Sequence, residues 1–290
     1  MEDRVVKRVF TLLLALCIWI GIFDGVCNFQ VRAEETKKVY KIMVNRAANC
    51  VTVYEKAENG DVIPVRAFIC SCGREGHETP LGTFRTSNYY DWRLMVDGSY
   101  GHYAVRFNRG IMFHSIPYYT KNAGDMEWEQ YNLLGQAASL GCVRLTCADA
   151  KWIYDNCKAG TEVTVYDDAE NPGPLGRPEE IKLAAENAYK TWDPTDTDIN
   201  NPWNAFRPVL QLTNERGDGV MYLPVGATVY DIYNALAVST PQGEVRELGT
   251  YQLRMTGNYD LNSAGKYVAH VCGTDALGVR VEQDMLICVE

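Results

Sequence analysis

The sequence predicts a mainly β protein: a β-rich first domain with a short helix late in it, then a second strand-rich domain. Three observations carry this reading. Apolar and polar residues alternate in short runs, Val39 to Val44, Cys50 to Tyr54 and Thr161 to Tyr166, the period of a half-buried strand. Turn signals separate such runs, Asn59-Gly60 and Asn108-Arg109-Gly110 foremost. Between the halves, Asn171-Pro172-Gly173-Pro174-Leu175-Gly176 interrupts the strand patterning and marks a boundary.

Residues 1–33 read as an export segment. Arg4, Lys7 and Arg8 precede an apolar run, Val9 to Phe23, that is short for a membrane span, and Val31-Arg32-Ala33 offers a cleavage site. A cleaved signal peptide and an uncleaved N-terminal membrane anchor are both open, and both predict an extracytoplasmic protein, secreted or associated with wall or membrane. The formal net charge of -9 and the lack of a long basic run exclude a nucleic-acid groove. Of ten cysteines, Cys17 and Cys27 fall in the export segment. Export invites a disulfide reading of the rest. A chain of this length builds a core without staples, however, and a reactive thiol must stay reduced, so mostly free thiols are expected. Cys272 and Cys288, on neighbouring predicted strands, are the pair to bridge if any does.

The first domain spans residues 38–168. Its strands begin at Val39, Cys50 and Val62, with the turn Glu58-Asn59-Gly60-Asp61 between the second and third. Cys70-Ser71-Cys72 has no second Cys/His pair at zinc spacing and reads as two small residues of a strand face. Tyr89-Tyr90-Asp91-Trp92 is either a mobile lid or a packed loop. His102 to Phe107 and Ile111 to Ser115 flank Asn108-Arg109-Gly110 as a hairpin that delivers His114 at a strand end. His77 and His102 read as surface or rim residues, and Tyr118 to Ala138 as a surface insertion. A helix follows from about Cys147 to Asn156, capped by Thr146 with Asp149 three positions on, and Gly160 closes it.

Before that helix stands Ser139-Leu140-Gly141-Cys142-Val143-Arg144-Leu145. Gly141 allows a sharp bend and a close approach of substrate. Backbone N–H groups of such a turn stabilise a thiolate and a developing oxyanion. Spacing alone leaves Cys142 open as one more buried structural cysteine.

His114-Ser115-Ile116 followed by Ser139-x-Gly141-Cys142-x-Arg144, with Thr79-Pro80-Leu81-Gly82-Thr83-Phe84 upstream, resembles the signature of the L,D-transpeptidases, the YkuD-like catalytic domain of bacterial cell-wall enzymes. The family has a histidine where this chain has Leu140, and a shorter gap between the matched histidine and cysteine. The resemblance implies catalytic roles for Cys142 as nucleophile, His114 as base and Ser115 as its orienting neighbour. It implies an oxyanion hole of the Gly141 and Cys142 backbone, and substrate-binding positions at Arg144 and Ser139, with a bracing role for Arg144 slightly favoured. The implied reaction is peptidoglycan 3-3 cross-linking through a cysteine thioester, with stem peptides as substrates, carbapenem-type β-lactams as inhibitors, and no metal or organic cofactor. Hydrolysis of the same thioester, as in an L,D-carboxypeptidase or endopeptidase, and a non-catalytic wall-binding protein are the alternatives.

Residues 169–206 are expected to be a linker with a short helix starting near Pro178. Asp193 to Asp198 lacks the glycine and terminal glutamate of an EF-hand calcium loop and reads as solvated. Residues 207–290 are strand-like again. Gly257-Asn258-Tyr259-Asp260, Gly265-Lys266-Tyr267-Val268 and Thr274-Asp275-Ala276-Leu277-Gly278 resemble bacterial Ig-like modules of cell-surface proteins. That resemblance implies a sandwich with spacing or wall-contact duties.

Overall fold

The computed structural model of the chain describes residues 38–57, 59–214, 216–240, 245–246, 253–274 and 279–290. The expected export segment lies outside them, as do Glu58 of the first turn and Asp275 to Gly278 of the Ig-like phrase. Among the described residues no helix is long and apolar enough to cross a membrane.

Two sheets build the first half. Strands β1 (Val39–Asn45), β2 (Cys50–Lys56), β3 (Val62–Ile69), β4 (Gly82–Arg85) and β9 (Glu162–Tyr166) form one, in the order β3-β2-β1-β9-β4. Strands β5 (Tyr89–Leu94), β6 (Tyr100–Asn108), β7 (Ile111–Ser115) and β8 (Val143–Leu145) form the other in sequence order. Alternation decides the inward faces: Tyr40, Ile42 and Val44 of β1 are buried, whereas Lys41 and Met43 are half-exposed. Ile42, Val44, Val51, Val53 and Val163 from the first sheet meet Val105, Phe107, Phe113, Val143 and Leu145 from the second in one core. The helix Cys147–Asn156 adds Ala150 and Ile153 to that core.

The hairpin turns fall where the sequence puts them. Gly60 (φ 90°) turns β2 into β3, and Arg109 (φ 47°) turns β6 into β7. Tyr89 to Trp92 belongs to β5 and pairs with β6, which settles it as packed strand and not lid. Two other expectations are corrected. The segment 118–138 is no surface insertion, since Tyr118, Met126, Tyr131 and Leu134 are buried in a core of their own with Leu183, Trp203 and Val279. Its aromatic and apolar side chains are too large to leave in water.

Residues 169–206 likewise pack onto the first half. No helix starts at Pro178, and the segment holds a single 3-10 turn, Pro202–Ala205. Asp193, Thr195, Asp196 and Asn201 are buried. The physical reason is a helix end in need of acceptors. Asp193 Oδ2 accepts the N–H of Cys147 at 2.7 Å, and Thr195 Oγ1 that of Ala148 at 3.1 Å.

The second half also has two sheets around one core. Strands β10 (Val209–Leu212), β12 (Leu236–Ser239) and β13 (Val245–Arg246) form one sheet. Strands β11 (Val220–Leu223), β14 (Arg254–Thr256), β15 (Gly265–Thr274) and β16 (Arg280–Val289) form the other, in the order β11-β16-β15-β14. Leu210 and Val238 from the first meet Met221, Val271 and Ile287 from the second. All eight cysteines from Cys50 onward are free. Cys272 faces Glu282 and Cys288 faces Lys266 across β15 and β16, so the strands do neighbour each other, but the two thiols sit about 20 Å apart along them.

Residues 39–290 pack as one compact unit. Arg280 Nη1 donates to Asp149 Oδ1 at 2.6 Å, Thr256 Oγ1 to the Val65 carbonyl at 2.6 Å, and Arg254 to the Arg177 carbonyl at 3.1 Å. The first of these bonds alters the expected capping box. Thr146 Oγ1 accepts the Asp149 N–H at 3.3 Å, while the Asp149 carboxylate bonds Arg280 in place of the Thr146 backbone N–H.

Candidate active site

β7 and β8 run parallel and set His114 opposite Arg144. Because side chains alternate along a strand, Met112 and His114 share a face with Cys142 and Arg144. His114, Cys142, Arg144 and Leu140 line one cavity of about 270 Å3, together with Leu94 at the end of β5 and Val96 and Asp97 from the β5–β6 turn.

The Gly141-Cys142 turn is held from both sides. Gly141 has φ 114°, which only glycine adopts without strain, and a Cβ there would stand 2.9 Å from Ile111 Cδ1. Ser139 Oγ accepts the Gly141 N–H at 3.0 Å and donates to the Cys142 carbonyl at 2.5 Å. Thr79 Oγ1 donates to the Gly141 carbonyl and accepts the Gly73 N–H, both at 2.9 Å. Both hydroxyl-bearing residues are fully buried. Ser139, expected to bind substrate, thus has its hydroxyl engaged inside the turn, as is the Gly141 N–H expected in the oxyanion hole.

His114 Nδ1 lies 2.6 Å from the Ser115 carbonyl oxygen. A carbonyl only accepts, so Nδ1 carries the proton and Nε2 is left as the basic nitrogen. The orienting group is therefore the backbone of Ser115. Its hydroxyl is employed elsewhere, accepting the His102 N–H at 2.9 Å and donating to the Ile116 carbonyl at 2.8 Å. Burial, then the Arg144 guanidinium, brings His114 from 6.5 down to about 4, so the ring is neutral at neutral pH. Burial also pushes the Cys142 thiol up, and a backbone hydrogen bond from Met112 and the charge of Arg144 do not offset it. The resting pair is thiol and imidazole, both uncharged.

Arg144 is itself buried. Its Nη1 donates to Gln130 Oε1 at 2.6 Å and its Nη2 stands 3.9 Å from Asp97 Oδ2, while Nε has no partner. It braces segment 118–138 against the site and still lines the cavity. Three contributors were not read as such from the sequence. Gly101 is one: a Cβ there would fall 2.8 Å from His114 Nδ1 and 2.4 Å from Met95 Cε. Gln130 and the bond from Thr79 to Gly141 are the others. Only Thr79 had a local signal, its place in the Thr-Pro-x-Gly-x-Phe run. His77 is exposed, whereas His102 is buried behind the site, stacked between Trp92 and Tyr103 at 3.9 and 3.7 Å.

Comparison with known proteins adds three findings. Residues 39–165 match the family model of the YkuD L,D-transpeptidase catalytic domain. A Bacillus subtilis (strain 168) protein named as an L,D-transpeptidase, YciB, is 44% identical over 55 residues, 19% of this chain and 27% of its own. The chain thus spans about a quarter of that curated relative. Among solved structures, an L,D-transpeptidase from Mycobacterium smegmatis is 23% identical, covering 44% of this chain and 59% of its own with a TM-score of 0.36. An L,D-transpeptidase solved in complex with imipenem is 25% identical over the same shares, also at 0.36. The similarity to YkuD-type L,D-transpeptidase catalytic domains is thus carried by residues 39–165, less than half of the chain.

Proposed function

We propose that the chain is a cysteine acyltransferase that cross-links peptidoglycan stems. The observation that carries this is the neutral His114, tautomer fixed by Ser115 and Nε2 unprotonated, on the same strand face and cavity as Cys142. Cys142 Sγ attacks the carbonyl preceding a terminal D-Ala of a tetrapeptide stem while its proton passes to His114 Nε2. The C–N bond breaks, the D-Ala amine leaves with that proton, and a thioester remains. A side-chain amine of a second stem then attacks the thioester. It loses a proton to His114, the thiolate departs, and that proton restores the thiol and leaves a 3-3 cross-link. The Cys142 N–H is the principal oxyanion donor, and Gly141 N–H joins only by giving up Ser139. Leu140, which replaces the family's histidine, contributes backbone alone. Arg144 faces a substrate carboxylate from the cavity wall.

In this reading residues 1–33 export the chain or anchor it, and the protein works outside the cytoplasm. Residues 207–290 act as an Ig-like spacer or wall-contact module. A carbapenem-type β-lactam acylates the same thiol. The test is incubation with purified muropeptide monomers and dimers, followed by mass analysis, with peptide mapping of a carbapenem adduct. Cross-linked products and an adduct on Cys142, both lost in Cys142→Ala, are expected. Free stem tripeptides without cross-links would instead make it a hydrolase, and turnover surviving in Cys142→Ala would remove the nucleophile.

A further inference from the structure

Behind the catalytic face lies a second group of reactive side chains that acyl transfer does not use. One ring nitrogen of His102 (β6), the Sγ of Cys147 (first residue of the helix after the nucleophile) and one carboxylate oxygen of Asp196 lie within 4.8 Å of one another, all buried. Their remaining polar atoms are already committed. His102 Nε2 is 3.1 Å from Asp91 Oδ1, and Asp196 Oδ1 accepts the Asp198 N–H at 3.0 Å. Of the other two, His102 Nδ1 is buried with no hydrogen-bond partner, and Asp196 Oδ2 is buried with the Cys147 thiol as the neighbour of its carboxylate. The hydroxyl of Tyr118, fully buried and also without a sound hydrogen bond, faces Cys147.

We infer that His102, Cys147 and Asp196 hold a structural zinc ion, with the Tyr118 hydroxyl completing the fourth position directly or through a water. A ring nitrogen left without a partner in a packed interior is costly unless something binds it, and a thiol is only a weak donor to the carboxylate beside it. Imidazole, thiolate and carboxylate are zinc ligands, and a thiolate with an imidazole disfavours calcium or magnesium. The outer contacts are those of a metal site: a carboxylate on the far nitrogen of the histidine, and a backbone N–H on the far oxygen of the aspartate. Zinc bonds of about 2.0–2.3 Å place tetrahedral ligand atoms about 3.3–3.8 Å apart, so closing the group takes a movement of about 1 Å. Charge balances as well. Zinc replaces the Cys147 thiol proton, which goes to solvent, and the thiolate and the Asp196 carboxylate neutralise the ion. A cavity of about 230 Å3 lined by Cys147, Asp196, Lys151 and Thr197 gives an entry path.

Such an ion joins three stretches that are distant in sequence: β6, the helix that follows Cys142, and the segment 193–196 that caps this helix. Since the backbone N–H of His102 is held by Ser115 Oγ, the ion also braces the strand carrying His114.

The test uses the full chain with Cys142→Ala, so that the nucleophile cannot supply a thiolate. After chelator treatment the protein is titrated with Co2+, then Zn2+, following the cobalt–thiolate absorption, bound metal by elemental analysis, and thermal melting. About one equivalent, a thiolate band displaced by zinc, and a higher melting temperature with zinc are expected. Cys147→Ser should abolish the band. Asp196→Asn, which keeps shape and the bond from Asp198, should weaken binding by at least about 10-fold, as should Asp91→Ala at the exposed outer partner. A thiolate band that survives in Cys147→Ser overturns the site, because the metal then sits on another cysteine. So does a folded parent chain that retains no metal, which leaves Cys147 and Asp196 as a hydrogen-bonded pair.

Discussion

The halves 39–166 and 207–290 are both β and both enclose an apolar core, yet they bury different chemistry. The first sinks Thr79, His114, Ser115, Ser139 and Arg144 out of water and gives each a hydrogen-bond partner. The core of the second is drawn from Leu210, Met221, Val238, Val271 and Ile287, and its buried His270 bonds to Asp284 near the surface. Polar groups are costly to bury unless they are satisfied. A half that concentrates them around a glycine turn is arranged as a site would be, and a half that leaves its core apolar is arranged as a scaffold. The joint between them tests how separable those roles are.

The largest effect is expected at that joint. Asp149 sits on the helix after Cys142, and its buried carboxylate is matched by Arg280 of β16. Arg280→Met leaves the carboxylate buried without its partner, a loss of about 3–5 kcal/mol. The double variant Asp149→Asn with Arg280→Met should recover most of it. Denaturant unfolding of the three chains measures this. Equal stability of the wild type and Arg280→Met would show that the halves stand independently, as would proteolysis that releases two folded pieces by cutting between residues 168 and 207.

Within the first half, Gly101→Ala pushes a methyl group against His114 Nδ1 and Met95. If His114 acts as the proposed base, displacing its ring by even 1 Å should lower turnover on the order of 10²-fold. The same substitution at Gly265, where the added atom meets only the end of Tyr267 at 3.1 Å, should leave turnover unchanged. Comparable losses at both glycines would erase the distinction between site and scaffold.

Much of this arrangement was legible in the sequence, for local reasons. Alternation gave the strands, Asn59-Gly60 and Arg109-Gly110 the turns, and Thr146 the start of the helix. What was not legible is set by contacts across long stretches of chain. Asp193 to Asp198 looks solvated because five of its six residues are acids or threonine beside acids. Only the fold brings the exposed N–H groups at Cys147 and Ala148 to it. Segment 118–138 lacks a clear period, and its burial follows from Trp203 and Leu183, far downstream. At Ser115 the residue was legible but the atom was not, because the backbone carbonyl and not the hydroxyl holds His114.

A smaller effect is expected at Thr79, whose hydroxyl bridges Gly73 and Gly141. Thr79→Val keeps the shape but strands a buried N–H and a carbonyl, costing about 1–3 kcal/mol of stability. Turnover should fall further than this loss of stability explains, because the Gly141 turn loosens. Activity normalised to folded protein makes the comparison, and an unchanged value would confine Thr79 to structure.

The smallest effect separates the two halves by the sign of a pH dependence. His114 is held at about 4, chiefly by burial, against 6.5 when unfolded. Between these values the unfolded chain binds more protons, so stability falls as pH drops from 6.5 towards 4, by about 1 kcal/mol at pH 5.5. His102, also lowered by burial, acts in the same direction. His270 runs the other way. Burial opposes its charge, but the bond to Asp284 at 2.7 Å prevails and raises it above 6.5. Its stabilisation is complete below 6.5 and is lost as pH rises through the raised value. Thermal melting from pH 5 to 8 should therefore show His114→Gln flattening the acidic side of the profile and His270→Gln the alkaline side. If both substitutions flatten the same side, the two histidines do not occupy the opposed environments that distinguish the site from its scaffold.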